Sequence, residues 1–342
     1  MIERVRIENF KALREIELDL GQLTVIVGPN SSGKSSILEA IHAACQRIPP
    51  NDPDHDSVDP YVIRYVNSEG SIRVICGGMG GAWTFSLNPP ERHAHSKVEP
   101  FPWDSSIEFQ GDQPFSMTSA LFRFEADTLA MSSRSDRFPP LLPRNGYGLA
   151  SVLAYMALNR PDDFSWVQRT IRTIVPAVRR IRFDRKVTVG PAPYPLDVLV
   201  FDMESGDNIE AAATSEGTLL TLGILAAVAG CRGRDSILLV DDLDRGLHPR
   251  AQHELINALR FFLEENPSVQ LVATTHSPIL LNYLRPEEVR LTSLNPDGTT
   301  ACARMTDHPD FEEWKDSMAP GEFWSYVGEQ WVRDLPIGKG SA

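Results

Sequence analysis

Polar and apolar residues alternate over residues 2–20. Val5 and Ile7 stand among Arg4, Arg6 and Glu8, and Ile16, Leu18 and Leu20 among Glu15, Glu17 and Asp19. A period of two predicts a pair of half-buried strands, with Asn9-Phe10-Lys11 between them. Thr24-Val25-Ile26-Val27 then runs apolar without alternation, as a strand covered on both faces does. Gly28-Pro29-Asn30-Ser31-Ser32-Gly33-Lys34-Ser35-Ser36 follows, and Ile37, Leu38, Ile41, Ala44, Cys45 and Ile48 keep helical spacing until Pro49-Pro50 stops the helix.

Residues 49–70 hold several Pro and Asp and read as a surface loop, and 71–76 and 82–87 as an antiparallel pair around a glycine-rich turn. Residues 88–118 have little periodicity, with one short strand at 107–110. From Gly148 the spacing turns helical through Leu149, Val152, Leu153 and Met156, and again through Phe164, Val167, Ile171 and Ile174. Strand character returns at 181–187 and 196–203. Thr214-Ser215-Glu216-Gly217-Thr218 then opens a helix so uniformly apolar that it must be buried. Two more continuous apolar strands follow: 236–240 ends in Asp241-Asp242, and 270–275 ends in His276. A helix at 250–265, a helix from Pro278 with Ser277 as its cap, and a hairpin about Asn295-Pro296-Asp297-Gly298 complete the core. In residues 307–342, Trp314, Phe323, Trp324, Tyr326 and Trp331 either pack back on that core or dock a partner.

Composition narrows the function. The 342 residues carry a formal charge of −13, which argues against a uniformly basic nucleic-acid coat and leaves only a local patch. Arg169, Arg172, Arg179, Arg180, Arg182, Arg185 and Lys186 form such a strip, either a solvated face or a phosphate-facing contact for DNA. Cys45, Cys76, Cys231 and Cys302 are far apart, suit a reducing cytosol and give no zinc site. No apolar run reaches the roughly 18 residues of a membrane span, and Met1-Ile2-Glu3-Arg4 starts directly into a strand. The expected location is cytoplasmic, with no membrane partner.

The candidate chemistry sits where apolar strands end. Gly28, Gly33, Lys34 and Ser35 fill each fixed position of G-x-x-x-x-G-K-[ST] between a strand and a helix, which is a phosphate-binding P-loop. Asn30, Ser31, Ser32, Gly33, Lys34, Ser35 and Ser36 are the candidate nucleotide ligands. Lys34 reaches the β- and γ-phosphates, and Ser35 ligates Mg²⁺. Asp241-Asp242 and His276 end two further strands, at the edge where parallel α/β sheets bind ligands. For Ser215 a plain helix cap, and for His276 a buried strand cap, are the competing structural readings.

In this order the motifs resemble an ABC-type ATPase head of the RecF, SMC and OLD-nuclease class, in a short form without a coiled coil. Asn9-Phe10-Lys11 is similar to its N-terminal turn, Gly28 to Ser36 to its Walker A, and Thr214 to Gly217 to its signature with Thr for Leu. Asp241 is similar to its Walker B aspartate, Leu247-His248-Pro249 to the segment that follows in OLD-like members, and Thr275-His276-Ser277 to its switch histidine. The resemblance implies an α/β P-loop NTPase with a mixed-sheet lobe and a helical lobe. Residues 1–120 and 187–305 would form the nucleotide-binding lobe, 121–186 the helical lobe and 306–342 a tail.

It also implies a homodimer closed around two ATP. One chain's P-loop and Lys11 would face the other chain's Ser215 and Gly217 across the γ-phosphate. Ser35 and Asp241 would hold Mg²⁺, Asp242 would orient or deprotonate the attacking water, and His276 would sense the phosphate. Asp242 replaces the usual glutamate and is one methylene shorter, so slow hydrolysis is expected. The motifs do not place the Q-loop glutamine, for which Gln110 and Gln113 are the candidates. About 35 residues of tail do not hold a TOPRIM nuclease domain, so an effector such as a nuclease would act in trans, in DNA repair or anti-phage defence. An ATP-gated scaffold holding a partner protein, or a transporter nucleotide-binding subunit, are the alternatives.

Overall fold

The structure is a computed structural model that describes residues 1–45, 72–78, 81–88, 104–110, 117–134, 138–189 and 193–335. The loop expected at 49–70, most of 88–118 and the candidate Gln113 lie outside the described residues. In chain order the first elements are β1 (Arg4–Phe10), β2 (Leu13–Asp19), β3 (Leu23–Val27), α1 (Lys34–Cys45), β4 (Ile72–Gly78), β5 (Gly81–Asn88), β6 (Asp104–Gln110) and β7 (Thr118–Phe122). Then come α2 (Ala126–Leu129), α3 (Leu149–Asn159), α4 (Pro161–Ile174), β8 (Val178–Val187), β9 (Pro195–Met203), β10 (Gly206–Glu210), α5 (Glu216–Gly230), β11 (Ser236–Val240) and α6 (Pro249–Glu265). The last are β12 (Val269–Thr275), α7 (Pro278–Leu281), β13 (Val289–Leu294), β14 (Thr300–Arg304), α8 (Phe311–Trp314) and α9 (Pro320–Val327).

The chain forms two compact units, one of residues 1–119, 235–239 and 270–342, the other of 120–234 and 240–269. In the first unit, β2-β1-β4-β5-β6 make an antiparallel sheet. Its register sets Val5 opposite Leu18 and Cys76, and Ile7 opposite Ile16 and Val74, so the alternation read from the sequence becomes one buried face. On the other face Arg4 pairs with Asp19 (3.1 Å), Arg6 with Glu15 (2.6 Å) and Arg73 with Glu8 (3.0 Å). The second sheet of this unit runs β14-β13-β3-β12-β11, with β3 parallel to both β12 and β13. β3, β11 and β12 are buried throughout, as uninterrupted apolar runs require. Gln270, also buried, is satisfied by the Ile2 amide (3.1 Å) and by the carbonyls of Ile2 (2.7 Å) and Gly21 (2.8 Å), which fastens the chain start to β12.

The tail of the first unit packs back rather than standing free. Trp314 stacks on Phe323 with centroids 3.8 Å apart, and both are buried. The amides of Gly321 and Glu322 donate to Asn282 Oδ1 at 2.8 and 3.2 Å. Gly321 lies so close to α7 that a Cβ there would stand 1.8 Å from the Pro278 carbonyl oxygen.

In the second unit β8, β9 and β10 form an antiparallel sheet, and α5 is buried from Thr218 to Ala229 among α2, α3 and α4. Trp166 of α4 meets Phe262 of α6 at 5.1 Å. The division differs from the boundaries drawn on the sequence. A cut at 186/187 would separate β8 from β9, which pair along their length from Val178 to Val187, and α5 belongs by packing with the helices before it. Burial pushes the thiols of Cys45 and Cys302 up to about 12, and that of Cys76 well above its ordinary value, so these cysteines are structural. Among the described residues no helix is long and apolar enough to cross a membrane.

Candidate functional site

Parallel pairing fixes the first half of the site. Thr275 is in register with Val27, so Gly28 and His276 leave neighbouring strands at the same edge of the sheet. Between β3 and α1 the chain makes a tight loop in which Ser31 (φ 64°) and Gly33 (φ 91°) are left-handed. The Lys34 ammonium folds back, buried, and donates to the carbonyls of Gly28 (3.0 Å) and Pro29 (2.8 Å). A Cβ on Gly28 would stand 2.3 Å from the Thr292 carbonyl oxygen, and one on Gly33 2.4 Å from Thr300 Oγ1. Close backing by β13 and β14 therefore demands glycine at both positions, independently of any ligand.

The loop serines divide. Ser31 is exposed, Ser35 and Ser36 lie half-buried in the first turn of α1, and Asn30 is exposed. Ser32 is fully buried, with its hydroxyl 2.6 Å from Thr292 Oγ1 on β13. The side chain of Ser32 thus anchors the loop. Lys11, in a turn where it and Asn9 are both left-handed, pairs with Glu39 of α1. That turn is held to β14 by the Thr300 amide, which donates to the Ala12 carbonyl (2.9 Å). His276 is exposed, unlike a buried strand cap, and Ser277 caps α7 by accepting from the Leu280 amide (3.2 Å).

The second unit carries the remaining candidates. Ser215 caps α5: its hydroxyl accepts from the Thr218 amide (3.3 Å) and lies 2.7 Å from Thr218 Oγ1. Gly217 abuts Gly246, where a Cβ would stand 2.2 Å from the carbonyl oxygen, and Glu216 pairs with Arg245 (3.0 Å). The signature turn and the loop after β11 are therefore in backbone contact. Asp241 is buried, and its amide donates to the Phe122 carbonyl (2.8 Å). Asp242 is half-buried with φ 60°, a conformation Asp tolerates better than longer side chains do. Leu247-His248-Pro249 is a helix start: His248 Nδ1 accepts from the Arg250 amide (3.3 Å), and Pro249 takes the first position of α6.

Arg123 and Arg245 join Asp241 and Asp242 around a small depression also lined by Leu220 and Ile224. Nothing local in the sequence marks either arginine, because Arg123 meets Asp241 only through the fold. The basic strip is largely neutralised within its own sheet. Arg182 grips Asp202 with two bonds (2.9 and 2.6 Å), Arg179 pairs with Asp207, Lys186 with Glu210 (2.7 Å) and Arg185 with Asp197 (3.7 Å). The Arg182 hydrogen bond holds the Asp202 carboxyl below its ordinary range. Arg172 donates to the Arg179 carbonyl (2.6 Å), while Arg169 and Arg180 are exposed. Gln110 ends β6 in the antiparallel sheet.

Among the described residues no group of three or more His, Cys, Asp or Glu side chains is arranged to hold a metal ion alone. One buried carboxylate, Asp241, and one serine hydroxyl, Ser35, are instead the donor types suited to Mg²⁺, which takes its other ligands from phosphate and water.

Residues 92–282 match the family described as "AAA domain, putative AbiEii toxin, Type IV TA system", and residues 1–62 the one described as "AAA ATPase domain". A Septu protein PtuA of Bacillus mycoides is 24% identical over 323 residues, covering 86% of this chain and 41% of that protein. An OLD nuclease of Thermus scotoductus is 23% identical over 354 residues, covering 90% of this chain and 65% of that protein. The chain thus spans less than two thirds of the length of either relative. A solved Smc head domain with an extended coiled coil, bound to the C-terminal domain of ScpA and derived from Pyrococcus furiosus, aligns with a TM-score of 0.58 at 11% identity, covering 91% of this chain and 98% of that one. At that identity the likeness establishes the fold, an α/β P-loop NTPase of the SMC-head type, which is the one the motif order implied.

Proposed function

The chain belongs to the AAA-domain family of ATPases, and from that premise we propose that it is a head that closes as a dimer around two ATP, hydrolyses them slowly and drives a separate effector. The observation that carries the reading is the shared edge of β3 and β12, where the P-loop and His276 leave the sheet in register. Backbone amides from Asn30 to Ser36 and the Lys34 ammonium bind the phosphates, helped by the dipole of α1. Ser35 and Asp241 are the residues that would hold Mg²⁺, which would supply Lewis-acid polarisation of the phosphate oxygens. Asp242 orients water and accepts its proton, and its short side chain on a left-handed backbone makes that step slow. Ser215 and Gly217 offer the N-terminus of α5 to the γ-phosphate of the partner's nucleotide, and His276 reads the same group.

Relatives of the Septu and OLD kinds support a setting in anti-phage defence more than in DNA repair. The internal pairing of the basic strip favours a protein effector over direct DNA contact through Arg179 and Arg182. If hydrolysis by Asp242 is slow enough, the same closure acts as a timed scaffold that holds its partner. The test is the mass of Asp242→Asn by light scattering with and without Mg·ATP. The expected result is a doubling with ATP that Ser215→Arg abolishes, and a mass that ignores ATP overturns the reading.

A further inference from the structure

The loop after β11 and the start of α5 form one surface, and it carries a charged pair beside the signature turn. Gly217 and Gly246 let the two backbones meet. A Cβ on Gly217 would stand 2.2 Å from the Gly246 carbonyl oxygen, and one on Gly246 3.3 Å from the Gly217 amide nitrogen. Glu216 and Arg245 precede those two glycines, and their side chains pair at 3.0 Å. The loop is tightly turned, for the Arg245 amide donates to the Asp242 carbonyl (3.1 Å) and the Leu247 amide to the Asp244 carbonyl (3.1 Å). Arg245 is therefore fixed at its backbone beside Ser215 and Gly217, with a side chain that is 48% exposed against 47% for Glu216. Water screens a pair this open, and a guanidinium with five N–H donors is not exhausted by one carboxylate.

We propose that Arg245 is a catalytic residue that acts in trans: in the closed dimer its guanidinium contacts the γ-phosphate of the partner's ATP, together with Ser215 and the N-terminus of α5. The inference rests on the dimer proposed above and extends it. Charge gives the reason. Glu216 opens α5 with a half-exposed carboxylate on the face assigned to a polyanion, where alone it would repel the incoming phosphate. Arg245 is the cation that the Gly217–Gly246 contact sets against that carboxylate, so the phosphate meets a neutral pair with donors to spare. As water adds to the γ-phosphorus, its proton passes to the partner's Asp242 and the bond to the bridging oxygen breaks. Negative charge spreads over the terminal and bridging oxygens, and a planar guanidinium can meet two of them at once. A contact made only when the dimer closes also ties turnover to assembly.

The experiment measures ATP turnover and nucleotide affinity of the full chain, with variants assayed singly and mixed in equal amounts. Arg245→Gln should bind nucleotide as wild type does and lose turnover roughly 10²-fold or more. Arg245→Lys, which keeps a charge opposite Glu216, should bind equally well and lose less. Mixing then separates trans from cis. With Lys34→Ala, itself inactive, Arg245→Gln forms dimers in which its sound P-loop faces a sound Arg245. Half the dimers of a random mixture are mixed and each has one intact site of two, so turnover should return to about a quarter of wild type. Ser215→Arg mixed with Lys34→Ala tests the dimer itself and should recover likewise. Recovery of the Ser215→Arg mixture without recovery of the Arg245→Gln mixture overturns the inference and leaves the dimer standing. Wild-type turnover in Arg245→Gln, or loss of nucleotide binding in both Arg245 variants, overturns it too. Background turnover in both mixtures removes the dimer reading, and the inference with it.

Discussion

Replacing Ser32 by Ala separates anchoring from binding within the P-loop. The Thr292 hydroxyl donates to the Val27 carbonyl (3.2 Å), so its single proton is committed. At 2.6 Å the Ser32 hydroxyl must therefore be the donor to Thr292, giving a buried relay from Ser32 through Thr292 to the end of β3. Ser32→Ala removes the outer link and leaves Thr292 with its donor bond intact, at a cost of about 1 kcal/mol. In a domain of 150–250 residues that is a fall of roughly 2–4 °C in Tm. Thr292→Val breaks the relay in the middle and orphans the Ser32 proton, costing about 2–3 kcal/mol. The double variant should cost less than the sum, with a coupling of about 1 kcal/mol. The assay is thermal unfolding of the four proteins with parallel nucleotide-binding curves, and nucleotide affinity should change by less than about threefold, since the hydroxyl faces β13. A tenfold loss of affinity in Ser32→Ala at unchanged Tm would falsify the anchoring role and return the hydroxyl to the phosphates.

Gly217→Ala places a methyl 2.2 Å from the Gly246 backbone oxygen, so the loop after β11 must shift. A loss of about 1–3 kcal/mol in unfolding measurements is expected together with reduced ATP turnover, and wild-type values for both would show the contact to be dispensable. In the tail, burial holds the His308 pKa below 6.5, and its Nδ1 accepts from the Asp310 amide (3.0 Å) beside Phe323 and Trp331. Unfolded His308 therefore takes up a proton at a higher pH than folded His308. Its contribution to stability is full above about pH 6.5 and is lost as pH falls through the folded value. Tryptophan emission and proteolysis should report a loosened tail on acidification in wild type and not in His308→Gln, and identical profiles would exclude the histidine as the cause.

The parts of the site that ligand chemistry fixes locally were legible. Gly28, Gly33, Lys34 and Ser35 must follow one another at set spacing to wrap a phosphate, and the buried strands before Asp241 and His276 betray themselves by losing alternation. What could not be read were contacts made only by folding: Lys11 with Glu39, Ser32 with Thr292, and Arg123 with Asp241. Strand pairing is hidden for a related reason, since period-two patterning marks β8 and β9 as strands but not as partners of each other. Aromatic density in the tail was visible, yet its docking depends on Gly321, a residue whose significance appears only once Pro278 is seen against it. The basic strip misleads in isolation because the carboxylates that balance it, Asp202, Asp207 and Glu210, come from other strands.

The most direct test of the central claim is steady-state ATP hydrolysis by wild type, Lys34→Ala and Asp242→Asn, with nucleotide binding measured alongside. The account expects slow, saturable turnover in wild type and no turnover above background in Lys34→Ala. Asp242→Asn should retain binding but lose a factor of about 10²–10⁴ in rate. Turnover in Lys34→Ala equal to wild type, or in Asp242→Asn undiminished, would contradict it.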